Sequence, residues 1–164
     1  MNYIKIIEKK VLKDVRIKMA EEFDRNFERQ AFFNRRWKAS RGGGHTLLKT
    51  GRLRRSLLSR VEGNNIRFSS DAPYAKIHNK GGKIPITPKM RRFFLFKFHS
   101  TKDTFYYNMS RHKANKITMP KRQFIGYHRA LDKPVNQTIE HVLDREAKEL
   151  FKQNEELFKR LRRH

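Results

Sequence analysis

A chain of 164 residues with no cysteine, carrying 40 Lys and Arg against 16 Asp and Glu for a net charge of +24, closes off several chemistries at once. Disulfides, thiolate metal sites and cysteine nucleophiles are excluded. No apolar run approaches the ~18 residues of a membrane span and no signal-peptide pattern opens the chain, so the product is expected to be cytosolic or assembled in the cytosol.

Residues 1–31 read as a helix, because Ile4, Ile7, Val11, Val15, Met19, Phe23 and Phe27 step by three or four with Lys and Glu on the other face. Residues 34–46 are expected to form a loop. The stretch GGGHTLLKTG, 42–51, looks like a phosphate-binding loop, yet Leu48 stands before Lys49 where such a loop needs glycine, and FFNRRWKASR precedes it in place of an apolar strand. It is read instead as a loop leading into a structural turn. Thr50 caps a short helical turn, Gly51 permits the tight bend, and Arg52, Arg54 and Arg55 are displayed outside.

SLLSRVEGNNIRFSS, 56–70, reads as two strands around Gly63-Asn64-Asn65. Tyr74, Ala75, Ile77 and His78 are expected on a short helix, with the aromatic and the imidazole packed under the sheet, and Gly81 and Gly82 end it. Residues 80–90 read as loop. RRFFLFKFHS and TFYYNMS then suggest a second strand pair around Lys102-Asp103, an aromatic hairpin over about 91–110. At a period of two, Phe94, Phe96 and Phe98 share one face and Phe93, Leu95 and Lys97 the other. KITMP followed by RQFIGY supplies a last strand, Pro120 turning the chain toward the core residues Phe124 and Ile125. From 132 to 163 a long helix is expected, with Asp132 at its cap, Pro134 in its first turn and a stripe through Val135, Ile139, Val142, Leu143, Leu150, Phe151, Phe158 and Leu161. The order implies one α+β domain over 1–164. Long N- and C-terminal helices, 1–31 and 132–163, pack on a central antiparallel sheet of about four strands within a basic region, 47–131, that also carries the hairpin.

The charge is segregated. Residues 29–131 hold 25 basic groups against Glu62, Asp71 and Asp103 alone, whereas the two ends are nearly balanced. Such a stretch suits a polyanion or an acidic protein surface. Catalysis is not expected. The seven histidines form no ligand pair, the carboxylates for acid–base work or a metal are missing from the middle, and no Gly-flanked serine nucleophile occurs. No cofactor is expected either. Two readings of RFFLFKFHS remain open: a nucleic-acid platform of a small basic binding protein, because aromatic and basic residues interleave, and burial between subunits of an assembly, because both faces are largely apolar.

HTLLKTGRLRRSL, then APYAKIHNKGGKI, then MPKRQFIGY before a long helix together resemble the phage virion morphogenesis family, Mu-like tail-completion proteins distantly similar to other phage head–tail joining proteins. The resemblance runs from about Trp37 to Leu150 and is weakest from Lys89 to Lys116. It implies a small subunit, a tail terminator or neck protein, that assembles in the bacterial host cytoplasm into a ring, a hexamer, on the tail tube and joins it to the head connector. Thr50, Gly51, Leu53, Tyr74, Ala75, His78, Gly81, Gly82, Pro120 and Phe124 would then be structural motif residues. Arg52, Arg54 and Arg55 are the candidates to approach genomic double-stranded DNA without sequence preference. Arg91, Arg92, Phe94, Phe96, Phe98, Lys121 and Arg122 are the candidates for subunit contacts or for acidic surfaces of tail-tube and connector proteins.

Overall fold

The computed structural model describes residues 3–40, 44–113 and 115–162. Residues 41–43 of the expected first loop, and residues 1–2 and 163 of the expected terminal helices, lie outside the described residues. The backbone forms two compact units, one running up to Ala75 and resuming at Gln123, the other spanning Lys76–Arg122.

In the first unit, α1 (Tyr3–Arg29) is followed by a two-residue strand pair, β1 (Ala31–Phe32) and β2 (Arg35–Arg36). Next come one helical turn, α2 (Arg52–Arg55), and a hairpin of β3 (Leu57–Glu62) and β4 (Asn65–Ser70). After a 3₁₀ turn at Arg129–Leu131, α6 (Asp132–Leu161) closes the unit. The long helices run antiparallel. The Phe33 and His128 rings stack 4.5 Å apart near one end, while Lys10 meets Glu146 at 2.6 Å and Arg145 meets Asp14 at 3.2 Å further along.

The helical period of α1 brings Val15, Phe23 and Phe27 inward, and Ile4 at its start remains 65% exposed. Around fully buried Phe27 stand Trp37, edge-on at 5.6 Å, and Phe124 at 5.4 Å, with Leu53, Ala72 and Ala75. Asn26 is buried in this core with both ends of its side-chain amide bonded: the nitrogen donates to the Phe124 carbonyl at 3.2 Å and the oxygen accepts from the Phe33 N–H at 3.0 Å. The Trp37 indole donates to the Gln123 carbonyl at 2.7 Å. In the hairpin, Glu62 pairs with Asn65 across the two-residue turn Gly63-Asn64, where Gly63 supplies a φ of 58°. Phe68 on β4 meets Phe23 edge-on at 4.9 Å, laying this hairpin on α1.

The second unit differs from the sequence expectation. β5 (Gly82–Pro85), in the segment read as loop, pairs antiparallel with β6 (Lys116–Met119) in register Gly82↔Met119 to Pro85↔Lys116. Residues 91–110 are not strands. They belong to two helices, α4 (Pro88–Thr101) and α5 (Thr104–Ser110). The Thr87 side chain accepts from the Met90 N–H and Pro88 fills the first turn, where a missing donor costs nothing. Lys102, at φ 57°, ends α4 with its N–H on the Phe98 carbonyl at 2.7 Å. Asp103 then caps α5 by accepting from the Phe105 N–H at 2.9 Å. Lys102-Asp103 therefore punctuates two helices rather than two strands. Aromatics at 93, 94, 96 and 98 satisfy a helical period as readily as an alternating one, and only Phe94 of the expected face is buried. Ile86, Phe94 and Met109 form this unit's core, with Met90, Phe105, Tyr106 and Ile117 against it.

The described strands thus make three two-stranded antiparallel sheets, not one central sheet of about four. The mixed helix–strand class stands, and RQFIGY carries no strand.

Candidate partner and DNA surfaces

The turn at Thr50–Arg55 is built differently from the expectation. Gly51, at φ 66°, is the N-cap of α2, while the Thr50 hydroxyl only approaches the Arg52 N–H at 3.4 Å. The left-handed backbone at residue 51 selects glycine, while the exposed Arg55 guanidinium that a Cβ would approach at 2.7 Å is the end of a flexible side chain and can swing away. Leu53 is buried in the first unit's core.

The three arginines of α2 part company. Arg54 is not displayed: its guanidinium forks onto the Asp24 carboxylate and reaches Glu28 at 2.7 Å, both on α1. The hydrogen bonds to Asp24 and then to Glu28 hold its pKa above the ordinary arginine value. Arg55 is exposed and folds back to donate to the Thr50 carbonyl at 2.9 Å. Arg52 is exposed. Arg35, Arg36, Lys38 and Lys49 are exposed as well. Their segments share a root with α2, because Trp37, Leu47, Leu48 and Leu53 pack into one cluster. This places Lys49, Arg52 and Arg55 beside an arginine-rich hairpin, a cationic surface with no carboxylate in its own sequence.

Ala75, at the start of α3 (Ala75–Lys80), is buried in the first unit, but Tyr74 lies at the surface rather than under a sheet. In the second unit the turn after α3 is locked to the chain after β6. The Arg122 N–H donates to the His78 carbonyl at 2.8 Å, and a Cβ at Gly81 would meet the Lys121 nitrogen at 2.9 Å. Gly81 takes φ 71°. The glycine is required twice over, by conformation and by the close backbone approach. The half-buried His78 imidazole has a pKa below its ordinary value, chiefly from burial and then from the Arg122 cation. Arg122 itself is only 7% exposed, and burial lowers its pKa too. It is a structural cation, not a surface one. Pro120 follows β6 directly, and Phe124 is wholly buried in the first unit.

Arg91 is also structural. Its guanidinium donates to the carbonyls of Ser110 and His112 and to the Asn115 side chain, tying together acceptors at and after the end of α5. Phe98 is half-buried against Tyr107, with the rings 5.2 Å apart. Of the expected set the second unit presents outward Arg92 and Phe96, the latter 67% exposed, on α4 and Lys121 in the loop after β6, and it adds Phe93 at 51% exposure with Lys89 one turn earlier. Phe93, missed by the alternating reading, was signalled by its i, i+3 spacing to Phe96. The cations at 54, 91 and 122 could not be told from surface ones in sequence, because their partners lie on other elements.

Among the described residues, no three His, Cys, Asp or Glu side chains come together as a metal site, and no helix is long and apolar enough to cross a membrane. No curated protein and no solved structure matches the chain. The phage virion morphogenesis family matches residues 9–144, which hold all three sequence motifs and every element from α1 into α6. Its members are structural components of phage particles. The chain therefore belongs to the phage virion morphogenesis family and has a structural part in building a phage virion.

Proposed function

We propose that this protein completes the phage tail: copies close into a ring, a hexamer, on the tail tube, and the ring joins the tail to the head connector. In this reading it is a non-enzymatic tail terminator or neck protein of the virion, assembled in the bacterial host cytoplasm. The observation that carries it is the exposed face of α4, where Phe93 and Phe96 stand uncovered on the same helix as exposed Lys89 and Arg92. A monomer gains nothing from displaying two phenylalanines among cations, whereas an acidic protein surface with an apolar centre covers both.

Charge magnitudes favour protein over DNA as the main partner. A turn of duplex presents about 20 phosphates, fewer than the 25 basic groups that residues 29–131 of one chain contribute. DNA threaded through a ring can neutralise only a small share of the total, and a genome that must slide cannot be gripped by all of it. Arg52 and Arg55, with Lys49, are the side chains assigned to non-specific DNA contact. Arg92 and Lys121, with the α4 aromatics, are assigned to acidic tail-tube or connector surfaces.

The test is in vitro joining of heads to tails. Arg92→Glu with Lys121→Glu is expected to block joining while leaving far-UV circular dichroism unchanged. Arg52→Glu with Arg55→Glu is expected to spare joining and reduce DNA retention. If the first pair left joining intact and removed only DNA binding, the nucleic-acid-binding alternative would replace this reading.

A further inference from the structure

The two outer edges of the β5–β6 sheet differ. Just beyond the paired register, the Ile86 N–H donates to the Asn115 carbonyl at 2.7 Å. Hydrogen-bonded pairs alternate with non-bonded ones along an antiparallel ladder. Ile84 and Ile117 therefore bond to each other, while the backbone groups of Lys83, Pro85, Lys116 and Thr118 point outward. On β5 that edge is blunted, because Pro85 has no N–H to offer there. On β6 it is intact. Lys116 and Thr118 each turn a donor and an acceptor away from β5, and neither meets a further strand or another backbone partner among the described residues.

This edge borders a cavity of about 430 Å³ lined by Lys83, Met109, His112, Lys116, Ile117 and Thr118. Three consecutive residues of β6 line it, whereas one face of a strand would contribute only alternate residues. Lys83, Lys116 and Thr118 lie exposed on one face of the sheet, and Ile117, half-buried on the other, packs with Met109 against the unit's core. The sole acid between Lys76 and Arg122 is Asp103, which caps α5 at the opposite end from Met109. The Arg91 guanidinium holds Ser110, His112 and Asn115 together, so the chain joining α5 to this edge is fixed in advance of any binding.

We propose that the outer edge of β6 takes up an extended segment of a partner protein in which acidic and apolar residues alternate, adding a third strand to the β5–β6 sheet. Alternating outward N–H and C=O groups match a polypeptide backbone; a phosphate backbone accepts hydrogen bonds but donates none. In an antiparallel addition, directly opposed residues share a face. The residues opposite Lys116 and Thr118 come beside the two lysines and are acidic, and the one between them lies on the side of Ile117 and is apolar. A second copy of this chain does not supply such a segment. Outside α1 and α6 its acids are Glu62, Asp71 and Asp103, too far apart to alternate. The proposal rests on the reading that acidic virion proteins are the partners, and it adds a contact separate from the face of α4.

The test uses the full chain and a fluorescent peptide with the core Glu-Val-Glu-Val-Glu, followed by anisotropy and by residue-resolved amide hydrogen exchange. The peptide is expected to bind and to slow exchange at Lys116 and Thr118, whose amides are unbonded in the free protein. Thr118→Pro removes one outward donor and leaves the bonds to β5 in place, so it should weaken binding about tenfold with circular dichroism unchanged. On the native protein, the same peptide N-methylated at its glutamates keeps its charge and should weaken by at least as much. Lys83→Glu with Lys116→Glu should remove binding. No binding by the peptide, equal binding of the N-methylated peptide, or binding that leaves both amides fast would each overturn the proposal. Duplex DNA that slowed the same amides when the peptide did not would assign the cavity to phosphate and overturn it too. None of these failures touches the acidic-partner reading itself, which is decided by head–tail joining of the Arg92 and Lys121 variants.

Discussion

Arg54 shows how little a basic side chain's type says about its task. Three arginines within four residues look interchangeable, yet one is spent on Asp24 and Glu28. With the three side chains between 31% and 58% exposed, solvent screening limits the bridge, and Arg54→Ala is expected to cost about 1 kcal/mol, read as a lowered melting temperature with DNA retention unchanged. Arg55→Ala is expected to do the reverse. His78 offers a pH signature. Its folded pKa lies below the unfolded value of ~6.5, so stability is retained above that pH. It is lost as pH falls from there through the folded value, because the unfolded chain takes up the proton first. The urea midpoint of the native protein should fall between pH 7.5 and 5.5 by more than that of His78→Gln. An unchanged difference between the two proteins would separate the imidazole from the acid response. At this scale the sequence was legible where a residue's role is local. Gly51 and Gly81 take the positive φ that their turns require, and Phe124 is core. It was opaque where the partner is distant, as with Arg91 and the acceptors beyond α5.

The long helices were readable because their periodicity runs for many turns, which averages out single exceptions such as exposed Ile4. The β3–β4 hairpin was readable from Gly63-Asn64 between alternating strands. The α4–α5 pair was misread for a physical reason: four aromatics in six residues are dense enough to fit either period, and the deciding signals were caps, Thr87-Pro88 and Asp103, rather than the aromatics. The helical assignment gives a sharp contrast between neighbours. Phe94→Ala is expected to destabilise the second unit by about 3 kcal/mol through the cavity it leaves, whereas Phe96→Ala, two residues on and exposed, should change stability by less than about 0.5 kcal/mol. Chemical denaturation of both variants checks this; similar losses at the two positions would argue for an alternating strand. The same geometry makes Arg91 a poor position at which to probe partner binding by charge reversal, because the variant would release three acceptors and damage the fold first.

For the molecule as a whole, the order of the motifs was the guide to family, and the segregation of 25 basic groups between nearly balanced ends is the feature on which the proposed acidic or anionic partner rests. The three motifs fell within the residues that the family matches. The division of the chain into two compact units was not legible, because Lys76–Arg122 is held together by pairing between β5 and β6, whose strands are four residues long and lie far apart in sequence.

Three separate two-stranded sheets also leave ladder edges whose N–H and C=O groups have no neighbouring strand among the described residues. Open edges are templates for indiscriminate strand addition, the route by which soluble proteins precipitate. Here Arg60 and Arg67 face each other across β3–β4, both bridged to Glu62, and Lys83 and Lys116 lie on β5 and β6, so each longer ladder carries a net positive charge that repels an incoming copy. The excess charge of the middle segment thereby serves as a colloidal safeguard. Raising ionic strength from low to molar salt shortens the Debye length to about 3 Å, and purified subunit should then lose solubility with a gain in thioflavin-positive material. Arg60→Ser with Lys83→Ser should bring that loss to lower salt, while a protein whose solubility is insensitive to both would show that the edges are guarded by something other than charge.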